Sequence, residues 1–200
     1  MLLGGCMKKE TVYKLFSSIP ELCTERFILR KMSLDDTDDM FEYSKLPEVT
    51  EYLVWSPHPD KAYTFDYLSY LQCRYNTGDF FDWAIVSKET GKMIGTCGFT
   101  RFDFRHDCGE IGYVINPSFK GQGIATEVVG RVIRFGFDEL SLNRIECKFI
   151  PDNLASRRVM EKNRMTFEGI RRQGMLIKGE YRDVGICSIL RREFFENNAK

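Results

Sequence analysis

The segment PSFKGQGIATEVVGRVIRFGFDEL, residues 117–140, strongly constrains what this 200-residue chain can fold into. Two glycines, Gly121 and Gly123, stand directly before a run whose apolar residues recur at helical spacing. The run predicts an amphipathic helix, because one face collects Ile124, Val128, Val129, Val132, Ile133, Phe137 and Leu140. The first amides of a helix lack intrahelical acceptors and carry partial positive charge, so a glycine-rich start predicts an anion site.

Several kinds of glycine-rich loop could begin such a helix. A P-loop needs a Gly-Lys-Ser/Thr ending that is missing here. A dinucleotide-binding loop needs Gly or Ala where Thr126 stands, and residues 116–119 separate the glycines from the preceding strand. Glu146 nevertheless lies at about the distance expected of a ribose ligand in that fold. A turn without any ligand is a third reading, and the loop alone leaves it open.

The remaining pattern predicts an α+β fold with a mainly antiparallel sheet. ERFILRKM resembles a first strand, a helix begins after Ser33, and another helix runs up to Gly78. DWAIVS, KMIGTCGFT and GEIGYVI form a predicted meander whose first turn contains Gly91. The helix after Gly123 then leads to the strand RIECKFI, so those two strands should pair in parallel through a right-handed crossover. A short helix in PDNLASRRVMEKN and a hairpin of GMLIKG with DVGICSIL complete the chain.

Length and composition indicate a single globular domain. We expect residues 1–20 to be an N-terminal extension with a short helix in TVYKLF, and residues 21–200 to be the domain. Apolar residues are 43% and charged residues 29% of the chain, and the formal net charge is zero, which argues against nucleic acid as a partner. No apolar run is long enough for a membrane span or a signal peptide, so a cytoplasmic location is expected.

The metal-binding and disulfide-forming residues do not form a recognisable pattern. Seven cysteines lack any C-x-x-C pair, and there are only two histidines. This favours neither a disulfide framework nor a metal site, and we expect most of the cysteines to be small buried side chains.

Five segments in the same order resemble the GNAT superfamily of N-acetyltransferases, in its ribosomal-protein (RimJ/RimL-like) branch. KGQGIATEVVGRVIRFGF is similar to the pyrophosphate-binding segment, in which Gly123 and Ala125 match and Lys120 replaces the usual Arg or Gln. LCTERFILRKMSLDD, EIGYVINPSFKGQG, NLASRRVMEKNRMTFEG and DVGICSIL resemble the other four. The resemblance spans about residues 22 to 190. It implies a mostly antiparallel mixed sheet, flanked by helices and split by a V-shaped splay beside a bulged central strand.

The resemblance also implies that acetyl-CoA is the cosubstrate and that no metal is needed. The pyrophosphate would be held by Lys120, Gly121, Gln122, Gly123, Ile124, Ala125 and Thr126. Val114 and Ile115 would present backbone groups to the pantetheine, and the amide of Asn153 would bind pantetheine, cap its helix, or do both.

Direct transfer to an amine needs a base for the amine and a stabilised thiolate leaving group. Many members of the superfamily use a tyrosine as the acid at the position of Met160. Since that tyrosine is absent, Ser156 is the candidate that stabilises or protonates the thiolate, and otherwise it is an ordinary first-turn serine. Glu110 is either the base, acting through water where needed, or a solvated residue at the start of a strand.

The resemblance does not identify the acceptor. Tyr52, Trp55 and His58 fall in an aromatic segment that would form a substrate wall, or else part of the core. Tyr181 would contact substrate or, like Asp183, support the last hairpin. The acceptor is expected to be a protein N-terminus, such as that of a ribosomal protein, or a small amine. Antibiotic or polyamine acetylation and a non-catalytic acyl-CoA sensor are the alternatives, and a homodimer is an assembly that the resemblance allows.

One position departs from the branch in a way that bears on the backbone. Arg164 stands where a glycine is usual after the Asn153 helix. Since a helix end with positive φ disfavours Arg, we expect the local backbone to differ there.

Overall fold

The computed structural model describes residues 7–198 as an α+β fold built on one mixed sheet. The helices are α1 Lys9–Phe16, α2 Thr37–Ser44, α3 Pro47–Thr50, α4 Lys61–Thr77, α5 Ile124–Asp138, α6 Leu154–Lys162 and α7 Arg191–Asn198. The strands are β1 Leu22–Cys23, β2 Phe27–Arg30, β3 Phe81–Ser87, β4 Met93–Asp103, β5 Cys108–Ile115, β6 Arg144–Phe149, β7 Thr166–Ile177 and β8 Glu180–Leu190.

The sheet topology confirms the predicted fold class. The strand order is β1-β2-β3-β4-β5-β6-β8-β7, and every neighbouring pair is antiparallel except β5 and β6. β3, β4 and β5 are the expected meander, and Gly91 adopts φ +70° in the first turn. α5 is the crossover between the parallel strands. The closing hairpin is longer than predicted, since β7 begins at Thr166, and α7 follows it without having been predicted.

Two apolar cores lie on opposite faces of the sheet. The larger core lies under α5, and all seven residues predicted for the buried face are buried, six within α5 and Leu140 just after its end. The smaller core joins α2 and α4 to Ala84, Val86 and Met93. α1 contains the TVYKLF segment and contributes Val12 and Phe16 to the larger core, so this part of the expected extension packs against the sheet. Residues 1–6 lie outside the described residues, and the division at residue 20 stays a prediction.

β5 and β6 pair over four residues and then separate. The paired stretch ends at Ile111 opposite Cys147. Beyond it, the rest of β5 pairs only with β4, while Lys148 and Phe149 pair with β8. This divergence is the predicted splay. The expected bulge, however, lies in β4, where the register shifts around Thr100, whereas β5 pairs without interruption from Ile111 to Ile115.

The end of α6 corrects the expectation about Arg164. Arg164 adopts φ +59°, the conformation that a glycine would take at this helix end. The amide of Arg164 donates to the carbonyl of Glu161, and the amide of Met165 donates to that of Met160. These two bonds define a Schellman motif, so the helix ends as it would with a glycine although the residue is Arg.

Candidate active site

The divergence of β5 and β6 opens a cleft of about 710 Å³. Two groups of residues make up most of its wall. The loop side comprises residues 119–121 and 123–126, before and within the first turn of α5, together with residues of α6. The acceptor side comprises residues 48–49 and 51–53 in and after α3, together with residues 148–150 and 152 at and after the end of β6.

The loop side has the backbone features of an anion site. Gly121 and Gly123 adopt φ +80° and +76°, values that residues other than glycine rarely adopt. Gly123 is the N-cap of α5, and among the described residues no side-chain cap bond is made at that helix start. Of the residues predicted to hold the pyrophosphate, Lys120, Gly121, Gly123, Ile124, Ala125 and Thr126 line the cleft, and their contact with a ligand stays a prediction. The first amides of a helix lack intrahelical acceptors and carry partial positive charge, so this helix start is suited to bind an anion.

Gln122 differs from the other predicted loop residues because it is not part of the cleft wall. Its carbonyl accepts a hydrogen bond from Arg26 Nη1 at 3.0 Å. The same guanidinium forms an ion pair with Glu127, with Nη2 and Oε2 separated by 2.7 Å. Arg26 thus ties the loop to the first turns of α5 and holds the shape that exposes the amides. Sequence analysis did not identify this residue, since the contact spans about a hundred positions.

Two further basic side chains line the loop side. Arg158 and Lys162 lie four residues apart in α6, so they share one face of that helix. Together with Lys120 they add positive charge beside the glycine loop. Their i, i+4 spacing is visible in the sequence, and it could have identified them as candidate phosphate ligands.

Other predicted cofactor residues lie between the two sides. Val114 and Ile115 line the cleft from the part of β5 that has left β6, so the β5 edge toward β6 makes no strand pairing there. Asn153 also lines the cleft, and its Oδ1 accepts a hydrogen bond from the amide of Ser156 at 3.1 Å. Asn153 is therefore the cap of α6, and its contact with pantetheine stays a prediction.

Ser156 lines the cleft and has an unexpected partner. The hydroxyl of Tyr113 lies 2.8 Å from Ser156 Oγ and 3.1 Å from the Ser156 carbonyl oxygen. Burial raises the pKa of the Tyr113 phenol, although the hydrogen bond with Ser156 opposes that change. Met160, at the position of the usual tyrosine, is 1% exposed and packs in the larger core. The phenol beside Ser156 therefore comes from a strand and not from the helix.

Glu110 lies next to the cleft but is not part of its wall. The carboxylate Oε2 accepts a hydrogen bond from the ammonium of Lys148, and Lys148 lines the acceptor side. A base at this position would have to act beside a bound cation, so the role of Glu110 stays a prediction.

The predicted aromatic wall is only partly at the cleft. Tyr52 lines the acceptor side, whereas Trp55 and His58 do not. His58 is buried among aromatic rings, and its Nδ1 lies 2.8 Å from the hydroxyl of Thr64. Burial lowers the pKa of His58, which fits a neutral structural ring. The structure does not bring Trp55 or His58 to the cleft.

The hairpin residues also lie away from the cleft. Tyr181 is 68% exposed in β8 and is not part of the wall. Asp183 accepts a hydrogen bond from the amide of Gln173 across the hairpin, at 2.8 Å. Glu48 and Glu51 were not predicted from the sequence, and they add two carboxylates to the acceptor side. Nothing in their local pattern indicates a site, since α3 becomes part of the wall only through the fold.

Two wider features complete the description. Within residues 7–198, no helix combines the length and the apolar character that crossing a bilayer requires. In the same range, no group of three or more His, Cys, Asp or Glu side chains is arranged to hold a metal ion.

The comparisons with known proteins identify the family. Residues 26–166 match the model of the acetyltransferase (GNAT) domain. The uncharacterized N-acetyltransferase p20 of Bacillus licheniformis is 38% identical over 173 residues, which is 86% of this chain and 97% of that protein. The chain belongs to the GNAT acetyltransferase family and is an N-acetyltransferase.

Solved structures agree with this assignment. A GNAT-family acetyltransferase from Bacillus anthracis superposes with a TM-score of 0.77 at 26% identity, over 87% of this chain and all of that chain. RimL, a ribosomal-protein alpha-N-acetyltransferase solved with coenzyme A, superposes with a TM-score of 0.72 at 20% identity, over 86% of this chain and 98% of that one. The second likeness concerns the fold alone.

Proposed function

We propose that the cleft binds acetyl-CoA, and that the protein transfers the acetyl group directly to a primary amine. The observation that carries this proposal is the splay itself, with a glycine loop and a helix start on one side and Ser156 in the wall. A solved relative of the same fold, RimL, holds coenzyme A. The pyrophosphate would lie on the amides of residues 120–126, near Arg158 and Lys162, and the pantetheine along Val114 and Ile115.

The reaction needs no covalent enzyme intermediate. The amine lone pair adds to the thioester carbon, and the carbonyl electrons move to oxygen. Collapse of this adduct re-forms the carbonyl and breaks the C–S bond, so the electron pair leaves with sulfur. The nitrogen loses one proton to Glu110 or to water, and the sulfur gains one, which gives the amide and CoA-SH. No described cysteine lines the cleft, and burial raises the pKa of Cys97 and Cys147, so those thiols stay protonated.

The acceptor is proposed to be a protein N-terminus or a small amine. Glu48 and Glu51 on the acceptor side favour a molecule that carries further positive charge, as a polyamine or an aminoglycoside antibiotic does. A basic peptide N-terminus satisfies the same requirement.

A screen of acceptors tests this function. Acetyl-CoA would be supplied with N-terminal peptides of ribosomal proteins, polyamines, aminoglycosides and neutral amines, and thiol release would be measured beside mass spectrometry of the products. We expect at least one cationic amine to gain 42 Da, as acetylation requires, at about the rate at which thiol appears. Binding of acetyl-CoA without turnover of any amine would contradict the proposed transfer, and failure to bind it would contradict the proposed cofactor site.

A further inference from the structure

We propose that Tyr113 is a positioning residue for the leaving group, because it donates a hydrogen bond to Ser156 Oγ and so directs the Ser156 proton toward the CoA sulfur. The inference rests on the proposed function, since it concerns the thiolate that acetyl transfer releases. In this chain Met160 occupies the position in α6 at which many family members have a tyrosine acid. The inference assigns part of the stabilisation of the thiolate to a strand residue instead.

The contact geometry gives two ways to arrange the protons. The oxygens of Tyr113 and Ser156 lie 2.8 Å apart, and either could donate to the other. If Ser156 donated to the phenol, its only proton would be used and none would face the cleft. If the phenol donates, the Ser156 proton is free to point into the cleft. Only the second arrangement offers a hydrogen bond to sulfur.

Two properties of the pair favour the second arrangement. A phenol is a stronger acid than an aliphatic alcohol, so it is the better donor of the two. The competing acceptor, the Ser156 carbonyl, lies farther away at 3.1 Å and is inside α6, where the amide four residues later takes it. The backbone also fixes the serine, since its amide donates to Asn153 Oδ1.

The phenol strengthens the serine without giving up its own proton. A hydroxyl that accepts a hydrogen bond becomes a better donor, and the effect is larger away from water. Burial raises the pKa of Tyr113, so the phenol remains neutral and keeps donating. When the C–S bond breaks, the electron pair on sulfur is met by the Ser156 O–H. Water then supplies the proton that turns the thiolate into CoA-SH, and both hydroxyls return to their initial state.

A titration of bound CoA tests this arrangement without needing the acceptor. Ultraviolet absorption of the thiolate would be followed against pH for the CoA complexes of the parent, Tyr113→Phe and Ser156→Ala. The complex with desulfo-CoA, which lacks the sulfur, supplies the baseline. We expect each substitution to raise the pKa of the bound thiol by about one unit, and the double variant to equal Ser156→Ala. Direct titration of CoA affinity should change less than about threefold.

Tyr75→Phe is a matched control, since it also removes a buried phenol that makes hydrogen bonds. Its hydroxyl donates to the carbonyl of Asp82 at 2.7 Å in the smaller core, away from the cleft. We expect Tyr75→Phe to lower thermal stability but to leave the thiol pKa unchanged. With an acceptor in hand, kcat of Tyr113→Phe should fall by about 10- to 100-fold while KM for acetyl-CoA is kept.

The outcomes separate this inference from the function on which it rests. If CoA binds and its thiol titrates alike in the parent, Tyr113→Phe and Ser156→Ala, the inference is wrong and the proposed function survives. If Ser156→Ala shifts the thiol and Tyr113→Phe does not, Ser156 acts alone and the inference is again wrong. If the parent does not bind CoA, both the inference and the proposed function are wrong. Should Tyr113→Phe fail to fold, the Ser156→Ala complex would still overturn the inference by showing an unshifted thiol.

Discussion

The two sides of the cleft are built in different ways. The loop side is centred on backbone features, namely two glycines with positive φ and the start of α5, with basic side chains of α6 beside them. The acceptor side is made of side chains from segments almost a hundred residues apart, such as Glu51 and Lys148. A backbone site leaves its glycine pattern in one short stretch of sequence, whereas a side-chain site leaves none. The glycine loop could therefore be predicted from the sequence, and the residues of the acceptor side could not.

The largest effect should come from adding charge to the loop side. Gly123→Asp places a carboxylate beside the amides that are proposed to hold the pyrophosphate, and Asp tolerates positive φ better than most residues. We expect acetyl-CoA affinity to fall by more than about 100-fold, because like charges would meet at the proposed anion site. Isothermal titration calorimetry measures the loss, and thermal unfolding should show a stable domain.

Gly91→Asp is the control for this change. Gly91 has φ +70° in the turn between β3 and β4, and nothing lies within 4 Å of the Cβ that it lacks. The backbone cost is therefore similar, while the position is away from the cleft. Equal losses of acetyl-CoA affinity in both variants would show that strain, and not the anion site, explains the result.

A smaller effect is expected when charge is removed from the acceptor side. Glu48→Gln combined with Glu51→Gln should raise KM for a cationic acceptor by about 10-fold and leave acetyl-CoA affinity unchanged. The effect should shrink as salt rises, because exposed charges are screened. Steady-state kinetics at two ionic strengths would measure both. A rise in KM for a neutral amine of the same size would show that shape and not charge is responsible.

The reach of the sequence follows the same division. The meander, the crossover helix and its buried face depend on local periodicity, and all are confirmed. Counting from Asn153 was enough to show that Met160 occupies the position of the usual tyrosine acid. Tyr113 could not be recognised as its counterpart, because the contact with Ser156 joins residues 43 positions apart through the packing of α6 on β5. Trp55 and His58 were candidates for the substrate wall because their segment is aromatic, but aromatic composition does not distinguish a wall from a core.

The carboxyl group of Asp82 in β3 allows a prediction of how the free energy of unfolding depends on pH. Burial raises the pKa of Asp82 to about 7, against hydrogen bonds from the Trp83 amide and the Thr96 hydroxyl. Folded Asp82 therefore holds a proton that the unfolded chain has released, so stability should fall between about pH 4 and pH 7 and level off above that. Asp82→Asn should gain at least about 1 kcal/mol over the parent at pH 8 and almost nothing at pH 4.

Denaturant unfolding at several pH values measures this difference, with Asp66→Asn on the exposed face of α4 as the control. A gain from Asp82→Asn that does not change between pH 4 and pH 8 would mean that Asp82 does not titrate in that window.

The smallest effect is expected at Arg164, on the helix that carries Ser156. Arg164 has φ +59°, and this left-handed conformation costs a residue with a side chain roughly 1–2 kcal/mol, whereas glycine adopts it freely. Glycine also makes the unfolded chain more flexible, which offsets part of the gain. We therefore expect Arg164→Gly to stabilise the domain by up to about 1 kcal/mol in chemical unfolding, and Arg164→Ala to give no such gain. Loss of stability in Arg164→Gly would mean that the arginine side chain stabilises this turn by more than its backbone strain. The thiol pKa of bound CoA should not move in either variant, because the Schellman motif fixes the far end of α6 and Asn153 fixes the end that holds Ser156.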